Sequence, residues 1–272
     1  MSAVERWRRE LEAWAIPAPI LESAPESPYG FPVAPFRTRA ERAVDAAPTP
    51  TTRRALDALP HGGSVLDVGC GGGATSLPLA GRTASVIGVD AQEDMLEGFL
   101  INARAAGVDA STVLGRWPDV APLVPPVDVG VAGHVLYNVP DLEPFVRALI
   151  PIARRRVVFE ITGGHPLSWM NDLWLRFHAV ERPAGPDAQA AVDALRELGL
   201  EPHVERWSSP PRPGGFQRRS DAIALVRRRL CLDPSRDPEL EAALGERLTE
   251  SDGLWSAGET DPPPLASIWF DP

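Results

Sequence analysis

The stretch Val65 to Ala80 reads VLDVGCGGGATSLPLA, an apolar run that breaks into glycines and then resumes helical spacing. Glycines between a strand and a helix let backbone N–H groups approach a ligand with negative or polar groups. Gly69, Gly71 and Ala74 satisfy a loose G-x-G-x-x-[GA] pattern, and Asp90 lies where a ribose-binding carboxylate is expected, so a nicotinamide dinucleotide is one reading. The chain contains no lysine, which excludes a phosphate-loop lysine and Schiff-base chemistry. Asp67, two residues before the first glycine, would repel a pyrophosphate and would suit a ligand carrying positive charge there. Past a later apolar run stand His134, Tyr137 and Asn138. His134 is placed to act as a base or simply to pack. Tyr137 and Asn138 would orient a ligand or shape a loop. The segment GGHPLSWMNDLWLRFH (163–178) offers His165, Trp169 and His178, an aromatic wall for an apolar acceptor or a piece of core. Glu160, just before it, reads as a buried, paired acid.

The elements that must hold these residues alternate. SVLDVG (64–69), SVIGVD (85–90), STVLG (111–115), VDVGVAGHVL (127–136) and RRVVFEIT (155–162) read as buried strands. Helices are expected from Ala74, through EDMLEGFLINARAAG and over 141–149. That alternation means a parallel sheet with helices on both faces, which binds ligands at the carboxyl ends of its strands. Further along, helices are expected over 166–180 and after Pro186, a strand over 200–207, and a loop over 208–216. Helices over 220–232 and 237–248 and a final strand over 265–270 complete the pattern. A helix over 3–15 precedes a proline-rich segment, 16–36, whose Tyr29, Phe31 and Phe36 favour an ordered strap over a linker. A short helix over 51–59 leads into the first strand.

Composition narrows the function classes. The 272 residues carry a formal net charge of −10, which disfavours a sequence-independent grip on nucleic acid. Cys70 and Cys231 form neither a disulfide framework nor a metal spacing, which suits a reducing compartment. No run is long and apolar enough for a membrane span or a secretory signal, so a cytoplasmic, membrane-free protein is expected.

S-adenosylmethionine carries an ammonium, a sulfonium, a carboxylate and a ribose, and so answers both strand-end acids and the glycine loop. VLDVGCGGGATSLPLA resembles the glycine-rich signature of class I S-adenosylmethionine-dependent methyltransferases. GVDAQEDML resembles their acidic second motif and DVGVAGHVLYNVPDLEPFVRAL their fourth-strand segment. The resemblance covers roughly residues 50–165. It implies a Rossmann-like, seven-stranded, mostly parallel sheet with an antiparallel last strand. Residues 1–45 would form a strap or lid and 46–272 the methyltransferase domain, with 163–199 and 210–260 as cap helices. It also implies roles. Asp67, Gly69, Cys70 and Gly71 would line the methionyl end of the cofactor, Asp90 the ribose, and Ala91 and Gln92 the adenine. Gly133 and His134 would face the methyl group, with His134 and Tyr137 as catalytic candidates. Asn138, His165, Trp169 and His178 would border the acceptor.

One departure from the family is the absence of an acid after the third strand. LGRWPDV stands there, and Arg116 or Trp117 would stack on the adenine instead. No N-P-P-Y-like tetrad or cysteine follows the fourth strand, against methylation of base amines or pyrimidine rings. Gly133 and His134 occupy the tip where metal-dependent relatives want a carboxylate, so no metal is expected. The expected reaction is methylation of a small organic molecule. Cofactor binding without turnover, RNA methylation and a nicotinamide oxidoreductase stay open as alternatives, and the oligomeric state is not specified.

Overall fold

The computed structural model describes residues 1–208, 215–258 and 264–272. Strands β1 (Gly63–Val68), β2 (Thr83–Asp90), β3 (Asp109–Leu114), β4 (Val127–Gly133), β5 (Ala153–Thr162) and β6 (His203–Trp207) precede a hairpin, β7 (Leu248–Ser251) and β8 (Leu254–Ala257), and the last strand, β9 (Leu265–Phe270). The helices are α1 (Ala3–Glu12), α2 (Ala18–Glu22), α3 (Val33–Val44), α4 (Pro50–Ala58) and α5 (Glu93–Ala105). After them come α6 (Leu142–Leu149), α7 (Asn171–His178), α8 (Ala188–Glu197), α9 (Arg219–Arg229) and α10 (Asp237–Leu244).

Seven strands form one sheet in the order β3-β2-β1-β4-β5-β9-β6, with β9 antiparallel to both neighbours. The chain winds outward from β1 to β3, then returns to place β4 on β1's other side. The switch point therefore lies between the carboxyl ends of β1 and β4, where open α/β sheets leave a crevice. One face buries Trp7, Leu66, Phe145 and Leu195, joining α1, α6 and α8 to the sheet. The other buries Leu59, Val65, Leu77 and Phe99 beneath α4 and α5. A third cluster, around Met170, Trp174, Ile223 and Leu240, makes a cap from α7, α9 and α10.

Local chemistry explains the departures from the expected elements. The segment after the glycines forms only one 3₁₀ turn, Leu77–Leu79, with Pro78 inside it. β4 stops at Gly133 because His134 takes a left-handed φ of 60°. Strap residues 16–36 contain α2 and the start of α3, and α2 carries its proline at the tolerated first turn. The helix expected to 248 ends at Leu244, where Gly245 (φ 51°) turns the chain into β7. Asp252 and Gly253, with φ 53° and 72°, make the two-residue hairpin turn to β8. Most of the loop expected over 208–216 lies outside the described residues.

α3 was not expected, and it bears on the site. It lies across the glycine loop, and a Cβ on Gly72 would stand 2.4 Å from the Phe36 carbonyl oxygen. Asn102 of α5 ties the two together, its amide donating to the carbonyls of Gly72 (2.9 Å) and Arg37 (3.3 Å). Gly72 thus makes room for a helix; its loop neighbours turn the chain.

Candidate active site

At the end of β1, Asp67 is fully buried. Ser76 Oγ donates to its Oδ2 at 2.6 Å, and its Oδ1 has no hydrogen-bond partner. Burial first, with Asp90 adding to it against the Ser76 hydrogen bond, pushes its carboxyl up to about 7. An orphaned buried acceptor wants a hydrogen, from its own proton or from a cationic ligand. At the end of β2, Asp90 accepts Gly71 N–H and Gln92 N–H, each at 3.0 Å, on separate oxygens. Two backbone donors fix its plane and leave lone pairs for ligand hydroxyls. Gly69 takes φ 69°, with its N–H on the Val89 carbonyl, so the loop turns directly off the strand. This set of acceptors and turned backbone fits a ligand bearing an ammonium and a ribose.

Across the switch point, β4 and β5 run in register with Gly133 opposite Glu160. His134 follows, held at two points by the same residue. Its N–H donates to the Glu160 carbonyl at 2.6 Å, and its Nε2 lies 3.1 Å from Glu160 Oε1. The left-handed backbone at a non-glycine residue is costly and is paid for by these contacts. Nε2–H on the carboxylate leaves Nδ1 as the acceptor nitrogen of the neutral ring. An oriented imidazole on a carboxylate is the form of a general base. Gly133 itself meets Thr75, whose Oγ1 would lie 2.1 Å from an added Cβ.

The remaining expected residues divide. Gln92 joins the strap to the site, its Oε1 accepting Phe31 N–H at 3.2 Å, while Ala91 beside it is exposed. Cys70 is 5 % exposed and burial pushes its thiol well above the usual range, so it serves as loop packing. Trp117 turns toward α6, its indole N–H on the Phe145 carbonyl at 3.0 Å, and Arg116 is exposed. Tyr137 is buried, its hydroxyl donating to the Thr162 carbonyl at 2.7 Å; burial raises its phenol further. Asn138 is exposed one residue on. His178 Nε2 contacts the Leu230 carbonyl at 2.6 Å and Trp169 packs on the third cluster, so both tie the cap together.

His165 sits in an aromatic column. It stacks on Trp14 at 3.6 Å between ring centroids and meets Tyr137 edge-on at 5.3 Å. Burial, with Arg182 nearby, pulls its imidazole down to about 3, so it is neutral at ordinary pH. Trp14, Arg182 and Glu160's hold on His134 carry no local sequence signal of their role. Long-range packing brings them in, and a glutamate late in a strand beside a histidine was the one available hint. Among the described residues no cluster could hold a metal ion, and no helix is long and apolar enough to cross a membrane.

Residues 65–155 match the family model described as "Methyltransferase domain". Ubiquinone biosynthesis O-methyltransferase of Bordetella parapertussis is 31% identical over 154 residues, covering 52% of this chain and 63% of that protein. The Rhizobium etli protein of the same description is 31% identical over 105 residues, 39% of this chain and 41% of its own length. The chain thus spans about two-fifths of the length of the first curated relatives it matches. Among solved structures, the YcgJ protein of Bacillus subtilis superposes with a TM-score of 0.53 at 17% identity, over 81% of this chain and 97% of that one. A putative methyltransferase of Bacillus halodurans C-125 gives 0.51 at 15%, over 82% and 98%. These two likenesses speak to the fold.

Proposed function

We propose that this chain, whose residues 65–155 match a methyltransferase domain, is a class I S-adenosylmethionine-dependent methyltransferase that methylates a hydroxyl of a small organic acceptor without a metal, with His134 as the base. The observation that carries the base assignment is the His134–Glu160 pair, 3.1 Å apart at the tips of β4 and β5. A hydroxyl acceptor must lose its proton, and an imidazole held by a carboxylate takes it. The relatives' description as O-methyltransferases supports the hydroxyl.

S-adenosylmethionine, when bound, supplies an electrophilic methyl group on a sulfonium. Asp67 would hold its ammonium through the orphaned Oδ1, and Asp90 its ribose hydroxyls. His134 Nδ1 would take the proton of the acceptor's hydroxyl, leaving that oxygen to receive the methyl group that the bound cofactor would supply. Glu160 steadies the imidazolium that results. Closure of the crevice by α3 and the strap would exclude water and align the two reactants, which supplies much of the rate for an in-line displacement. Residues 1–45 therefore serve as lid and wall, with α7, α9 and α10 as the acceptor-side cap. Trp117 and Arg116 stay as adenine neighbours in this reading, and Asn138, His165, Trp169 and His178 as the acceptor border, with His165 reaching it through its stack.

The test has two steps. Calorimetry with S-adenosylhomocysteine checks the cofactor site, and no heat of binding would sink the reading at its root. Transfer of labelled methyl to catechols, compared with RNA and with amines, checks the acceptor. Transfer to RNA with a steep salt dependence would replace the small-molecule assignment.

A further inference from the structure

We propose that the acceptor carries a carboxylate beside its apolar body, and that Arg182 and Arg229 receive it. This rests on the methyl-transfer reading above and names the substrate class of that site.

The cap's other arginines show what a satisfied cation looks like here. Arg227 bonds Glu26 (2.7 Å) and Asp237 (3.0 Å), and Arg247 holds both oxygens of Asp172, at 2.9 and 2.8 Å. Arg182 and Arg229 are likewise half-buried, yet neither has a carboxylate within 4 Å among the described residues. Arg182 donates to the carbonyls of Ala15 (3.0 Å) and Trp14; its Nε is buried with no partner. Arg229 donates to the carbonyls of Pro28 (2.5 Å) and Gly30 (2.8 Å). Each guanidinium therefore spends two of its five N–H donors on described carbonyls. Carbonyl dipoles offset part of a buried charge, but a full counter-charge is missing.

The two share one neighbourhood. Tyr29, flanked by the carbonyls that Arg229 binds, lies within electrostatic reach of Arg182, as does Cys231, two residues past Arg229. Aromatic faces surround both cations. Arg182 lies 5.3 Å over Trp14 and 4.8 Å over Trp174, and Arg229 lies 4.5 Å over Phe31. From Arg182 the column Trp14, His165, Tyr137 leads back to the turn Leu136–Asn138, which begins two residues after His134. Planar cations among rings suit an aromatic acid: the rings take its body, the guanidinium forks its carboxylate.

The test uses the full chain loaded with S-adenosylhomocysteine, titrated with 3,4-dihydroxybenzoate and with 3,4-dihydroxybenzamide. The acid is expected to bind at least about tenfold tighter, as a charge-assisted pair implies. Arg182→Gln should erase most of that preference while affinity for the amide and for S-adenosylhomocysteine stays within about twofold. Arg182→Lys keeps the charge and loses the fork, so it should retain part of the preference, and it covers the case in which the Gln variant fails to fold. Arg229→Gln should weaken the acid in the same sense. Equal binding of acid and amide, or no binding of either, overturns the proposal, as does a preference that survives Arg182→Gln with Arg229→Gln. A protein that does not bind S-adenosylhomocysteine fails earlier, on the methyltransferase reading itself.

Discussion

The two sides of the crevice are built by different means. The proposed cofactor side comes from short runs of chain: Asp67 to Gly71 and Asp90 to Gln92, placed by adjacent parallel strands. Its contacts are mainly backbone N–H groups and two acids. The proposed acceptor side is assembled from side chains far apart in sequence; Arg182 reaches Trp14 across 168 positions. Its contacts are rings and guanidinium groups. In the proposed arrangement the sides also differ in sign: the buried Asp67 and half-buried Asp90 would face one ligand and under-compensated cations the other, with His134 and Glu160 at the seam. The difference fits two ligands of opposite charge meeting at a base.

Removing the seam should have the largest effect. His134→Asn tolerates the left-handed backbone and so isolates the chemistry. Its kcat is expected to fall about 10²–10⁴-fold, with S-adenosylhomocysteine affinity unchanged by calorimetry. Glu160→Gln keeps the hydrogen-bonding shape and loses the charge. A fall of about tenfold is expected, with the acidic limb of the pH–rate profile displaced. A loss of cofactor affinity in either variant would move the pair from acceptor chemistry to the cofactor side.

Asp67→Asn tests the cofactor side through its proton. With its carboxyl raised to about 7 from 3.8, the native state holds a proton that the unfolded chain has lost over that window. Asp67's share of the ligand-free protein's stability should therefore fall as pH rises from about 4 to about 7, then level off. The Asn variant removes that slope and should be the more stable protein at pH 8, by urea midpoint. In the parent, S-adenosylhomocysteine affinity should rise with pH through about 7, as the carboxylate becomes available to the ammonium. The variant should show a flat profile and about tenfold weaker binding.

How much of this was legible follows from the same contrast. Asp67, Gly69 and Asp90 could be read because a strand, a turn and a strand end lie within a few residues of one another, and local spacing fixes their roles. The alternating apolar runs give the strands of the sheet, and the antiparallel β9 follows from the family resemblance, not from the pattern. Gly72 reads as part of the same loop, but its missing side chain serves α3, a helix that proline-rich sequence hides. The Asp252–Gly253 turn was a local signal overlooked, since the apolar spacing of α10 masks the end of the helix. Trp14 and Arg182 could not be read, because neither sits in a motif and only tertiary packing brings them together.

Gly72→Ala breaks the contact between the glycine loop and α3. The added Cβ meets backbone, the Phe36 carbonyl at 2.4 Å, which cannot swing away as a side chain could. α3 must shift, at a cost of about 1–3 kcal/mol. Affinity for S-adenosylhomocysteine should weaken along with stability, because α3 lies on the cofactor loop. If only stability falls, α3 is wall and does not act as lid.

The smallest effect is expected inside the aromatic column. His165 is held neutral, its imidazole drawn down to about 3 by burial and then by Arg182. The unfolded chain takes up a proton below about 6.5 that the native state refuses, so this residue's share of stability is lost as pH falls from there toward 3. That slope runs opposite to the one Asp67 imposes and offsets it between about 4 and 6.5, so the two together predict a plateau of stability there that falls away below about 4 and toward 7. His165→Phe keeps a planar ring on Trp14 and gives up only the Leu167 N–H contact at 3.3 Å. It should cost at most about 1 kcal/mol at pH 7, flatten the acid limb of the urea midpoint below about pH 4 and uncover the Asp67 slope between about 4 and 6.5. An acid limb unchanged by His165→Phe would mean that the column accommodates an imidazolium, and that the acceptor side is less dry than its packing implies.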